Sequence, residues 1–449
     1  MLNASDHTGT RTSSRALSPE LAFPAPAWGG ASAVRTATPR RIRESAIVRL
    51  WNGVARLATD AAPELSLSAM LETVRKRTGA TFPAAAPHLQ ALDRLIASVN
   101  ETGRLHPFGA LYVRTLFTDL LSARANLTKF WQNNPAVLNE RIGRPLVVLG
   151  LPRSGTTFMF NLLAQDPAHR FLANWETSVS QIPLRKIGAI LRDPRRRKGR
   201  FLMRMQNAVA PRLKEVHEFR LDGPEECTQL LMQSFATQAL AGFFDAPAYS
   251  DWLDTADHGE TYAHHKRILQ TLQWTYPGER WLLKSPDHLA GVGAMARAYP
   301  DACYIHMHRD PSVSVVSWAS LNSVFRAIGS HEPDATRLGD QALRRLARDM
   351  DAYMGQRAAI GEEPFSDVGY REFLAEPMAT VRRLYDRFGL SLSDEAARRM
   401  NRFLDRDRQA RNGQRSHRYT PEEFGLTAHD IRRRFAGYAR YFSRYVQGV

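Results

Sequence analysis

The chain has 449 residues, with 61 Lys and Arg against 45 Asp and Glu and a formal net charge of +16. Its hydrophobic fraction of 43% and charged fraction of 24% belong to a globular protein and exclude a disordered or collagen-like chain. The charge points to an anionic partner, which nucleic acid, a phosphorylated cofactor, an acidic substrate or a membrane surface would each satisfy.

Residues 1–45 are rich in Ser, Thr, Ala, Pro and Arg without periodicity and read as a mobile tail. The N-terminus lacks the apolar core of a signal peptide, and no stretch approaches the ~20 apolar residues of a membrane span. Cys227 and Cys303 stand far apart and outside any CxxC pair, so a disulfide framework and a cysteine zinc site are both excluded. A soluble, cytoplasmic protein is expected. From "SAIVRLWNGVARLATDA" to "LYVRTLFTDLLSARANLTKFW" apolar residues recur at helical spacing, which predicts a helical region over 46–140.

At 141 a different pattern begins and runs to 449. "PLVVLGL" is continuous and β-branched, as in a strand buried on both faces of a parallel sheet. A glycine turn, "LPRSGTT", follows and opens a helix. A long, mostly helical stretch comes next; within it, "RDPRRRKGR" (192–200) reads as a solvated basic loop. "GPEECTQLL" reads most simply as a helix start, with Pro224 in the first turn and Glu225 and Glu226 beside the dipole, and a role in acceptor binding stays open for it. His258, His264 and His265 lie in a polar stretch and are expected to be solvated. Strand-turn-helix units recur at 280–299 and 302–321, and "FSDVGY" (365–370) is a short strand before the helical "EFLAEPMATVRRLYDRFGL". Strands alternating with helices imply an α/β domain in three layers around a central parallel sheet.

A strand ending in a glycine turn that opens a helix aims backbone N–H groups and the helix dipole at one spot, where an anion sits. Gly150 and Gly155 permit the tight approach, and Thr156 and Thr157 supply hydroxyls at the helix start. A Walker A loop has lysine after its second glycine, but here Thr156 stands at that position. The cation is instead Arg153, inside the loop, which suits a bidentate grip on one tetrahedral anion.

On these residues the loop resembles the 5′-phosphosulfate loop of sulfotransferases, in the branch with P-R-S-G-T-T that includes the tyrosylprotein sulfotransferases. The resemblance implies a P-loop-like fold and the donor 3′-phosphoadenosine 5′-phosphosulfate, with Arg153, Ser154, Gly155, Thr156 and Thr157 around its sulfuryl-phosphate end. A second match lies in "HRDPSVSVVS", where Arg309 at a strand end precedes Ser317 by eight positions. By resemblance these two bind the 3′-phosphate. The late basic segment "RNGQRSHRYTPEEFGL" holds Arg415, His417 and Arg418, candidates for the basic loop that closes over the nucleotide in the family, or else a plain solvated run.

Sulfuryl transfer to a hydroxyl needs a base, cationic charge near the transferring group, and in-line positioning. Magnesium is dispensable where arginine and lysine supply the charge. Glu176 in "LANWETSVS" is the base that the resemblance implies, with slightly different local spacing; a helix-start carboxylate would read the same way. Lys284 in "WLLKSPDHL" ends an apolar strand, and the K-S-P context resembles that of the family's sulfuryl-contacting lysine. His306 and His308 alternate onto one strand face, but no Cys, Asp or Glu joins them at ligand spacing, so packing is expected rather than a metal.

The absent G-K-[S/T] argues against the nearest enzyme rival, a P-loop kinase or NTPase. No helix-turn-helix, RNA-recognition or zinc motif supports a nucleic-acid-binding protein. The acceptor stays open: lipid, carbohydrate, phenol, steroid and peptide hydroxyls all fit.

Overall fold

The computed structural model describes residues 46–55, 62–182, 193–211, 220–331, 333–411 and 420–446. Four helices open it: α1 (Ala46–Ala55), α2 (Leu67–Thr78), α3 (Pro87–Thr102) and α4 (Pro107–Asn133). Their ends are chemically marked. Ser66 caps α2 by accepting from the Ala69 amide at 3.3 Å, and Gly79, at φ 71°, terminates it. Proline opens both α3 and α4, where its missing N–H costs nothing. Apolar residues of these helices, among them Val74, Leu92, Val113 and Phe117, share one core with Phe235, Leu240 and Tyr249 from far along the chain. The helical region is therefore packed onto the rest through a common interior.

The central sheet has five strands in the order β2-β5-β1-β6-β7: β1 (Leu146–Gly150), β2 (His169–Arg170), β5 (Arg280–Lys284), β6 (Cys303–His308) and β7 (Phe365–Gly369). Every pairing in it is parallel. Alternation along β1 divides the interior. Val147 and Leu149 face one core with Ile268, Leu269 and Leu346, while Leu146 and Val148 face another with Met159, Leu162 and Val381. Helices thus cover both faces, which makes the three layers expected of a buried parallel sheet. Because β1 lies between β5 and β6, the carboxyl ends of these three strands open onto one crevice, where α/β proteins bind ligands.

Several local expectations fail, each for a readable reason. Pro224–Glu225 forms a short strand, β4, antiparallel to β3 (Leu172–Ala173), and the helix begins only at Thr228. Two-residue strands carry no periodic signal, and the β3 partner supplies the backbone hydrogen bonds that decide the matter. "RDPRRRKGR" lies mostly in a helix, since α7 runs from Arg195 to Val209. Arginine and lysine are good helix formers, and their charge alone does not make a loop. The helix after β7 breaks in two, Tyr370–Ala375 and Pro377–Arg387, because proline cannot continue the first.

His264 and His265 are buried, not solvated, and His258 is half-buried. The helix Gly259–Thr275 turns Thr261, Tyr262, His264, His265, Ile268 and Leu269 inward, so helical period overrides the polar composition. His265 is held by the Tyr299 hydroxyl at 2.8 Å, and burial pushes its pKa down to about 3.

Candidate active site

The loop after β1 is built by unusual backbone angles. Gly150 sits at φ 144° and Gly155 at φ 96°, regions that favour glycine. A Cβ on Gly155 would stand 2.7 Å from the Tyr370 ring, so the approach also needs the missing side chain. Arg153 takes φ 63° without being glycine, a strained conformation of the kind held at ligand sites. Its carbonyl accepts from Arg309 Nη1 at 2.9 Å, which ties the first loop to the end of β6. The Arg309 guanidinium in turn lies 4.0 Å from the centre of the Tyr370 ring.

A cavity of about 2410 Å³ opens here, lined by Arg153, Gly155, Thr156, Thr157, Lys284, Arg309 and Ser317, among others. Seven residues singled out in sequence therefore meet around one space. The helix after the loop, α5 (Thr156–Leu163), aims its amino end at the same space. Among the described residues, no hydrogen bond or ion pair engages the Arg153 guanidinium, which is exposed to the cavity.

Lys284 is buried at the end of β5, paired there because β1 and β5 run in register with Val148 opposite Lys284. Its ammonium donates to Thr157 Oγ1 at 3.0 Å and forms an ion pair with Glu226. A buried lysine needs such partners, since an unpaired charge away from water is costly. Glu226 itself lines the cavity, as do Glu225 and Asp287. Glu225 accepts from Asn174 Nδ2 at 2.7 Å. Asp287 accepts from the Gln238 amide at 2.7 Å, and burial raises its pKa to about 6.

Two expected site residues face elsewhere. Ser154 is fully buried and donates its hydroxyl to the Leu151 carbonyl at 2.7 Å, so its side chain braces the turn. Glu176 does not line the cavity and has no solvent exposure. One of its carboxylate oxygens is ion-paired with Arg170, and the other accepts from the Ala173 amide at 2.9 Å. It caps the short helix α6 (Asn174–Ser178), and a base must reach the proton that it takes. That position fits the second of its two sequence readings, a helix-start carboxylate. Arg415, His417 and Arg418 lie outside the described residues.

Sequence reasoning placed no weight on Glu226, which the structure sets at the cavity wall. Its signal was present in "GPEEC", but the helix-start reading explained the acidic pair locally, and nothing in one dimension tells that β4 leads it to Lys284.

The histidine pair also gains a carboxylate. Asp367, on β7, joins His306 and His308, and the three could offer ligand atoms within 4.8 Å of one another. Sequence spacing could not show this, because the partner comes from the neighbouring strand in register with His306. Both Asp367 oxygens, however, accept from Arg357 at 2.7 Å. That guanidinium already neutralises the carboxylate and would repel a cation, so the cluster works as a buried ion pair flanked by neutral imidazoles. Burial pushes the His306 pKa down to about 3.

The fold and site define an α/β protein with a strand-loop-helix turn of the kind that binds phosphate-like anions, carrying Arg153 inside the loop and Lys284 beside it. Residues 145–394 match the Sulfotransferase family, and the chain belongs to that family. It is similar to sulfotransferase STF9 from Mycobacterium avium, at 30% identity and a TM-score of 0.76, covering 87% of this chain and 100% of that one. Sulfotransferase STF1 from Mycobacterium tuberculosis H37Rv matches at 28% identity and a TM-score of 0.74, covering 84% of this chain and 100% of that one. An omega-hydroxy-beta-dihydromenaquinone-9 sulfotransferase, Stf3, from Mycobacterium bovis is 24% identical over 268 residues, 58% of this chain. The match spans 66% of that relative's length.

Proposed function

We propose that the chain transfers a sulfuryl group from 3′-phosphoadenosine 5′-phosphosulfate to the hydroxyl of an apolar acceptor. The donor's phosphosulfate end fits the loop for three reasons: Gly150 and Gly155 let the backbone turn tightly where a Cβ would collide with its neighbours, the α5 amides face the cavity, and among the described residues no hydrogen bond or ion pair engages the Arg153 guanidinium. Arg309 and Ser317 hold the 3′-phosphate from the end of β6 and the helix Pro311–Gly329. In the transfer, the acceptor oxygen forms a bond to sulfur as the bond from sulfur to the bridging phosphate oxygen breaks. Adenosine 3′,5′-bisphosphate leaves with the electron pair. Arg153 and Lys284 sit where negative charge accumulates, and Glu226 takes the acceptor's proton.

The observation that carries this reading is the Thr157–Lys284–Glu226 chain at the cavity wall, which puts a cation and a carboxylate side by side above the anion loop. The acceptor class follows from the rest of the lining, where Tyr112, Leu116, Leu120, Phe243, Leu321 and Phe325 present apolar surface. The menaquinone derivative in the name of the Mycobacterium bovis relative supports an apolar alcohol.

The test is single-turnover transfer by Glu226→Gln, with donor affinity and melting temperature measured alongside. Turnover should fall by about 10²–10⁴ while donor affinity stays within a few-fold, as for the loss of a general base. Normal turnover would remove Glu226 from the chemistry.

A further inference from the structure

The basic run at 192–200 has no part in the transfer just described, yet its placement is specific. Helix α7 forms a wall of the cavity through Lys198, Leu202, Met205, Gln206 and Val209. Those positions recur at helical spacing and mark one face. The outward face carries Arg197, Arg200, Phe201 and Arg204, all exposed. Helix α1 packs against α7 and exposes Leu50, Trp51 and Val54.

Eight large apolar side chains are exposed among the described residues, and five of them (Leu50, Trp51, Val54, Phe201 and Met205) lie on these two helices. Phe201 is 60% exposed and Leu50 72%, so neither is a core residue grazing the surface. Scattered apolar side chains need no explanation, but a cluster on neighbouring helices does. The charge is as one-sided as the polarity. Neither helix contains an Asp or Glu. On α7, Arg195 is committed to Asp193 and Arg196 to Asp222, which leaves Arg197, Lys198, Arg200 and Arg204 facing solvent.

Apolar side chains interleaved with arginine and lysine on a surface helix are what an interfacial helix presents to a bilayer with anionic headgroups. We infer that this α1–α7 face docks the protein on an anionic lipid surface. Met205 both lines the cavity and is 48% exposed, so the docked face adjoins the cavity's lip. An apolar acceptor then passes from the bilayer along α7 to the transfer site without crossing water. That last step rests on the function proposed above; the docking itself does not.

The experiment is co-sedimentation of the full chain with vesicles of phosphatidylcholine alone and with phosphatidylglycerol added. Partitioning should require the anionic lipid and weaken as salt is raised. Arg200→Gln with Arg204→Gln should lower it on the order of 25-fold, taking about fivefold for each basic residue near the surface. Leu50→Glu with Phe201→Glu should abolish it. Melting curves of both double variants should match the parent, because all four side chains are exposed. Turnover of a short, water-soluble alcohol should be unchanged, which separates a failure of docking from a failure of the transfer chemistry.

Equal partitioning to neutral vesicles, or binding that survives both double variants, would overturn the inference. So would light scattering that reveals a dimer dissolved by Leu50→Glu with Phe201→Glu in a protein that ignores vesicles, since a second copy would then be the occupant.

Discussion

Replacing Glu176 with Gln separates the two roles that this carboxylate could have. Its side chain has no exposure, and its partner Arg170 is 10% exposed. Removing one charge from a buried pair leaves the other uncompensated, at a cost of about 3–5 kcal/mol. The lower end applies here, because Gln keeps an oxygen for the Ala173 amide and Arg170 retains the Tyr276 and Phe171 carbonyls and the Trp281 ring at 4.8 Å. Unfolding entropy of about 2.1 cal/mol/K per residue over 449 residues comes to about 0.9 kcal/mol/K, so about 3 kcal/mol lowers the melting temperature by about 3–4 °C. Differential scanning calorimetry reads that shift. Single-turnover transfer, measured well below the transition, should stay within a few-fold of the parent. A loss of about 10² or more with an unchanged melting temperature would refute the reasoning and return the base to Glu176.

Arg309→Ala should weaken binding of adenosine 3′,5′-bisphosphate by about 1.5–3 kcal/mol without loss of fold, and titration calorimetry checks it. Ser317→Ala should act in the same direction and less strongly. Gly155→Ala places a Cβ 2.7 Å from the Tyr370 ring at φ 96° and should cost about 1–3 kcal/mol of stability together with much of the bisphosphate affinity, read by melting with and without ligand. Stability should fall as pH drops from 7 to 5. Burial pushes His88, His265 and His306 down to about 3, so below their ordinary value near 6.5 the unfolded chain binds more protons than the folded one. Asp287 and Asp349, raised by burial to about 6, act in the opposite sense over the lower part of that window, but burial also lowers His169, His258, His264, His288 and His308, so the histidines outnumber them. A melting temperature that is flat or rises between pH 7 and 5 would count against the three neutral histidines.

Local chemistry carried the proposed donor half of the site. A parallel strand buried on both faces must be continuously apolar, a turn at φ 144° and 96° calls for glycine, and a strand-end arginine has few uses other than an anion. Gly150, Arg153, Gly155, Lys284 and Arg309 were therefore legible one segment at a time, because each answers a constraint set within a few residues of itself. The proposed proton acceptor, the metal-like cluster and the basic helix were not. Glu176 and Glu226 are both glutamates near helix starts in sequence, and what distinguishes them is which charged partner the fold brings up: Arg170 in a sealed interior for one, Lys284 at a cavity wall for the other. Asp367 reaches His306 only because β6 and β7 pair in a particular register. The outward face of α7 acquires its meaning from α1 beside it and the cavity behind it. Backbone conformation is a short-range property and can be read from a few residues, whereas the surroundings of a charge depend on whatever the whole chain packs around it, and only the tertiary structure decides that.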